Sequence, residues 1–160
     1  MLLKTRKTTT QAKGRRFAIV ASKYNGRYVN SMLKAARETL HQSGASEVLV
    51  VRVPGAFEIP VMVAELAGRK KNELSAIICL GVIIRGETTH AQHIAEAVTS
   101  ALVHLQVEYR IPVVHEVLLL ENAAQARARC LDAERNRGFE AATTAIEMAK
   151  VMGSLRKISP

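Results

Sequence analysis

Short, wholly apolar runs alternate along this chain with longer stretches in which apolar residues recur every three or four positions. Phe17 to Ala21 is a buried-strand pattern, and the loop Ser22 to Arg27 follows it. From Tyr28 to Gln42 apolar residues fall at Val29, Met32, Leu33, Ala36 and Leu40, the spacing of one helical face, and Ser43-Gly44 supplies a stop. Val48 to Val51 predicts a second strand that ends at Pro54-Gly55. Ile59 to Lys70 predicts a helix that tolerates Pro60 because it lies in the first turn. Leu74 to Ile84 is the most apolar strand, as expected of a parallel strand covered on both faces. A polar turn, Arg85 to Thr89, leads into a helix from His90 to Glu108. Pro112 to Leu119 is a fourth strand, and helices are expected over Asn122 to Glu134 and Phe139 to Met152. Strand–helix alternation with crossovers of this length predicts an α/β fold. The expected form is a three-layer sandwich around a four-stranded parallel sheet, flavodoxin-like in arrangement.

Charge changes this picture only at the ends. Six of the 23 Lys and Arg residues (Lys4, Arg6, Lys7, Lys13, Arg15 and Arg16) lie in the first sixteen positions without an acid among them. Arg156 and Lys157 close the chain, which leaves fifteen basic against fourteen acidic residues in the body. The division is therefore a basic, flexible N-terminal arm over 1–15, one domain over 16–153 and a tail over 154–160. A nucleic-acid partner for the arm ranks below solvated ends. No apolar run approaches the ~18 residues of a membrane span, and two cysteines, Cys79 and Cys130, exclude a disulfide scaffold. The expected compartment is the cytoplasm.

Chemistry in such a fold collects at the carboxyl ends of the strands. Tyr24-Asn25 follows the first strand, where an aromatic ring either stacks on a planar ligand or packs in the turn. Gly55, Ala56, Phe57 and Glu58 follow the second. The Glu58 carboxylate can cap the helix that begins there or accept hydrogen bonds from a polyol. After the third strand come Gly86, Glu87, Thr88, Thr89 and His90. Free N–H groups at a helix start suit a phosphate, and an imidazole beside them can exchange protons, although Thr can simply cap. His90 with His93 lacks a third ligand for a metal. After the fourth strand lie Arg127 and Arg129, of which at most one reaches a given site.

At these four segments the chain resembles the lumazine synthase family. The matching stretches are Lys23-Tyr24-Asn25, Val53 to Pro60, Leu80 to His90, and Glu121-Asn122 through Gln125-Ala126 to Arg129, with Asn136, Gly138 and Ala145 to Met148 continuing the match. The resemblance spans about Arg16 to Met152. It implies condensation of 5-amino-6-(D-ribitylamino)uracil with 3,4-dihydroxy-2-butanone 4-phosphate, the penultimate step of riboflavin biosynthesis. The products are 6,7-dimethyl-8-ribityllumazine, phosphate and water, and neither metal nor organic cofactor is implied.

By the same resemblance, Tyr24 stacks on the pyrimidine, and Ala56, Phe57 and Glu58 contact the ribityl chain and ring. Val82, Ile83 and Ile84 contact the heterocycle, Glu87 and Thr88 hold the phosphate with Arg129, and His90 donates a proton. The implied site lies between subunits, with Arg129 and His115 from the adjacent chain. The implied assembly is a homo-oligomer built from pentamers: the pentamer itself, a decamer or a sixty-subunit shell. The long helix bearing Ile94, Val98, Ala101, Leu102 and Leu105 is expected at subunit contacts. Two departures stand out: His115 occupies a position commonly held by Phe, and Leu131 to Arg135 replaces a stretch usually bearing glycine and lysine. The competing reading from fold alone is a flavin- or nucleotide-binding module without synthase activity.

Overall fold

The computed structural model describes residues 12–71 and 73–158. Four strands, β1 (Arg16–Ser22), β2 (Glu47–Val53), β3 (Ala76–Ile84) and β4 (Val113–Leu120), form one parallel sheet in the order β2-β1-β3-β4. The helices are α1 (Gly26–Gln42), α2 (Ile59–Ala67), α3 (His90–Tyr109), α4 (Ala123–Cys130) and α5 (Arg137–Arg156), and a single 3-10 turn, Ala56–Glu58, precedes α2. This is the expected α/β, flavodoxin-like sandwich.

Side-chain alternation along the strands builds two separate cores. Phe17, Ile19, Ala21, Ile78 and Leu80 point to one face, where α1, α4 and α5 contribute Met32, Leu40, Ala126, Cys130, Ala142 and Ile146. Ala18, Val20, Ile77 and Cys79 point to the other, against Ile59, Val63, Val98 and Leu102 of α2 and α3. Both faces of β1 and β3 are thus covered, so their sequences are continuously apolar. Each fully buried Ile, Leu or Phe contributes about 1.5–3 kcal/mol. Strand order reverses between β1 and β3, and the crevice above that point is where such sheets leave room for a ligand.

Several boundaries differ from the expected ones for local reasons. α1 starts at Gly26, because Asn25 takes a left-handed conformation (φ 53°) and its carbonyl accepts from Tyr28 and Val29 N–H. α4 stops at Cys130 rather than running to Glu134. Asp132 Oδ1 accepts from Glu134 N–H (2.9 Å), a local turn that competes with the helix, while Asn136 Nδ2 and Ser31 Oγ donate to the Cys130 carbonyl. α2 ends at Ala67 with Gly68 tucked beside Tyr109.

The ends of the expected domain carry further contacts. Residues 1–11 of the proposed arm lie outside the described residues. Its remainder is built into the body, with Ala12 buried, its N–H donating to the Ser43 carbonyl (2.6 Å) and Arg15 donating to the Ala149 carbonyl (2.9 Å). At the other end α5 continues through Arg156, three residues into the proposed tail. No described helix is long and apolar enough to cross a membrane.

Candidate active site

The loop after β1 is laid against the loop after β2 by two main-chain hydrogen bonds, Lys23 N–H to the Val53 carbonyl (2.7 Å) and Tyr24 N–H to that of Pro54 (3.0 Å). Asn25 Nδ2 then donates to the Val82 carbonyl at 2.7 Å, which ties the same loop to the end of β3. Arg52 secures the root of the loop by donating to the Ala21 and Ser22 carbonyls (3.2 and 3.0 Å). Tyr24 therefore projects beside the Ala56–Glu58 turn, and both its ring and that of Phe57 stand largely in water (73% and 62% exposed).

The turn itself is seated on β3. Gly81 has no side chain, and a Cβ there would meet Val117 Cγ1 at 3.1 Å and Ala56 Cβ and Ile59 Cδ1 at 3.5 Å. Gly55 N–H donates to Glu58 Oε2 (2.9 Å), so one carboxylate oxygen braces the turn and the other is left to a ligand. The Glu58 carboxylate thus braces the turn that precedes α2 and makes no side-chain capping bond to the helix itself.

These elements and the start of α3 enclose a cleft of about 860 Å³. Nine of the twelve expected site residues line it: Tyr24, Ala56, Phe57, Glu58, Val82, Ile83, Ile84, Thr88 and His90. Across the turn Gly86–Thr89, no main-chain N–H is engaged by a described residue, while Thr88 Oγ1 accepts from His90 N–H (3.4 Å). Unpaired amides at a helix start, a hydroxyl and an imidazole suit an anionic group whose departure needs a proton. Arg85 does not serve that end, since it pairs with Glu121 (3.1 Å).

Three expected residues lie elsewhere. Glu87 is exposed on the turn outside the cleft lining. His115, on β4, turns toward α3: Nε2 meets Thr99 Oγ1 at 2.7 Å and Nδ1 accepts from Val117 N–H at 3.2 Å. That bond to Nδ1 requires the neutral ring, and burial lowers the His115 pKa, only partly offset by backbone hydrogen bonding. Arg129 stands on α4, in the layer opposite α2 and α3. Among the described residues lining the cleft of one chain there is consequently no Lys or Arg.

Sequence reading passed over Ala91 and Ala97, assigned Ile94 to subunit contacts rather than to the cleft, and took His93 only as half of a metal pair. The signal was present, because positions 90, 93/94 and 97 fall on one helical stripe. Among the described residues no three His, Cys, Asp or Glu side chains converge as metal ligands.

Neither cysteine is set up as a nucleophile. Burial pushes the Cys79 thiol far up, and burial with the Glu116 charge takes Cys130 to about 11. Glu116 is itself buried and forked by Arg137 (2.8 and 3.0 Å), which also pairs with Glu140; burial nonetheless raises the Glu116 pKa. This ion-pair cluster anchors the start of α5 to β4 and does not touch the cleft.

Residues 14–153 match the family model described as 6,7-dimethyl-8-ribityllumazine synthase. A protein of that name from Aquifex aeolicus (strain VF5) is 41% identical over 147 residues, which cover 91% of this chain and 94% of that protein. One from Stenotrophomonas maltophilia (strain R551-3) is 39% identical over 142 residues, covering 88% and 90%. With a match of this extent laid over an α/β sheet whose switch-point crevice holds an aromatic ring, a carboxylate and an amide-lined helix start, the chain belongs to the 6,7-dimethyl-8-ribityllumazine synthase family.

Proposed function

We propose that this chain condenses 5-amino-6-(D-ribitylamino)uracil with 3,4-dihydroxy-2-butanone 4-phosphate, giving 6,7-dimethyl-8-ribityllumazine, phosphate and water, and that the cleft is where it does so. The observation that carries this reading is the convergence, within one cavity, of Tyr24, Glu58, the Gly86–Thr89 amides and His90. Tyr24 and Phe57 hold the flat ring, Ala56 and Glu58 face the ribityl chain, and Val82, Ile83 and Ile84 line the floor under the heterocycle. Thr88 and the turn bearing Glu87 receive the phosphate, and His90 moves protons during imine formation, phosphate loss and ring closure. Holding both substrates in register is the larger part of the rate, because effective molarity from positioning can lower a barrier by about 7–11 kcal/mol.

The absence of a Lys or Arg among the described residues lining one chain's cleft supports an assembled site, in which Arg129 and His115 of a neighbouring copy complete it. The proposed form is a homo-oligomer built from pentamers, in the cytoplasm. Val61 on α2 and Val103 and Val107 on α3 are exposed apolar positions suited to that contact. Val98 and Leu102 are not, since they lie in the chain's own core.

The decisive experiment mixes the purified protein with both substrates and follows the lumazine chromophore. No product, together with tight flavin binding, overturns the reading. His90→Ala should lower turnover by no more than about a hundredfold, because positioning survives. Arg129→Ala should raise KM for the phosphorylated substrate about 10- to 100-fold, the worth of a charge-assisted hydrogen bond. An unchanged KM removes Arg129 from the site.

A further inference from the structure

α3 delivers two imidazoles to the cleft, and only His90 has a part in the reaction as drawn above. His93 lines the same cavity one helical turn later, about 5 Å along the axis. α3 also packs against the Ala56–Glu58 turn. The polar side chains that line the cleft divide by position. Thr88 and His90 sit at the amide end, which leaves Glu58, Tyr24 and His93 for the substrate that carries no phosphate.

Hydrogen-bond inventory shows what His93 adds to Glu58. An ionised carboxylate only accepts, and one Glu58 oxygen is already taken by Gly55 N–H. A polyol presents a donor and lone pairs at every hydroxyl, so a carboxylate by itself leaves those lone pairs without protein partners, and the side-chain donors at this end are the Tyr24 hydroxyl and the His93 ring. A neutral imidazole offers one donor and one acceptor, and the His93 ring makes no hydrogen bond to any described residue. Beside it lie Ile94 and Ala97, which offer nothing polar from their side chains. We propose that His93 hydrogen-bonds a hydroxyl of the ribityl chain and so selects the polyhydroxylated aminouracil over an otherwise identical substrate with an unoxygenated chain. This assignment rests on the condensation proposed above and adds a specificity-determining residue to it.

Equilibrium titration with a single substrate tests this without turnover. Wild type, His93→Ala and His93→Gln are each titrated with ribitylaminouracil, with its analogue bearing a plain pentyl chain, and with inorganic phosphate. His93→Ala should bind the ribityl compound about three- to tenfold more weakly, the loss of one hydrogen bond. His93→Gln, which keeps a donor and an acceptor, should recover part of that loss. Affinity for the pentyl analogue and for phosphate should stay within twofold of wild type, the latter also reporting an intact cleft. Unchanged ribityl affinity, or an equal loss for the pentyl analogue, overturns the role of His93. Wild type that binds no ribitylaminouracil instead overturns the condensation itself, so the two failures are distinguishable.

Discussion

Single side chains in this protein are held by specific partners, and those partners fix their protonation. His115 receives Val117 N–H on Nδ1 and faces Thr99 with Nε2, so acid must break a hydrogen bond to charge the ring. Its pKa lies below the ordinary 6.5 because burial disfavours the cation. Between that lowered value and about 6.5 the unfolded chain binds a proton that the folded chain does not, so stability rises with pH across the window and is lost as pH falls through it. His115→Phe should therefore narrow the difference in Tm between about pH 7.5 and pH 5.5. A difference as wide as in wild type shows that His115 carries none of the acid sensitivity. The sequence marked position 115 as unusual but had no means of showing that its ring is occupied within its own chain. A partner sixteen residues away on another element leaves no local pattern. Asn25 carries a local trace of its left-handed conformation, being a small polar residue before a glycine, but its bond to the Val82 carbonyl crosses between elements and leaves none.

Among the elements, α1 and α5 meet in close backbone contact at Gly138. A Cβ built on Gly138 would lie 1.9 Å from the Met32 carbonyl oxygen, and that neighbour is backbone which cannot step aside. Ala36, Ala141, Ala142 and Ala145 in the same core keep the two helices close. Gly138→Ala should destabilise the fold by about 4 kcal/mol or more, read by denaturant unfolding or by loss of soluble protein. A cost below about 1 kcal/mol means that the helices can separate freely. Strands and helices were legible because burial on both faces of β1 and β3 writes unbroken apolar runs, and the one-sided burial of α1 writes a periodic one. Helix ends were less so. α4 was drawn too long because the Asp132 turn and the Asn136 side chain, which stop it, act through hydrogen bonds that hydrophobic spacing does not record.

At the scale of the whole molecule, the cleft was readable as four separate segments, since each follows a strand and the topology gathers strand ends. What brings them together, the loop pairing of Lys23 and Tyr24 with Val53 and Pro54, is main-chain chemistry that side-chain types do not encode. If Arg129 acts on a neighbour's cleft, defects at Thr88 and Arg129 should complement. Thr88→Glu places a negative charge where the phosphate belongs, and Arg129→Ala removes the cation. Each homo-oligomer should be nearly inactive. Co-assembled at equal amounts, about a quarter of the sites would pair an intact Thr88 with an intact Arg129, and activity should return in proportion. No recovery from a verified mixed assembly means that both residues serve a site within one chain.

The rings of Tyr24 and Phe57 project into solvent at the mouth of an apolar crevice, and their hydration gives ligand capture a calorimetric signature. Laying a flat heterocycle between them sheds ordered water from three aromatic surfaces at once. The enthalpy of binding measured at several temperatures should then grow steadily more exothermic on warming, a negative heat-capacity change. Replacing both rings by alanine should flatten that slope.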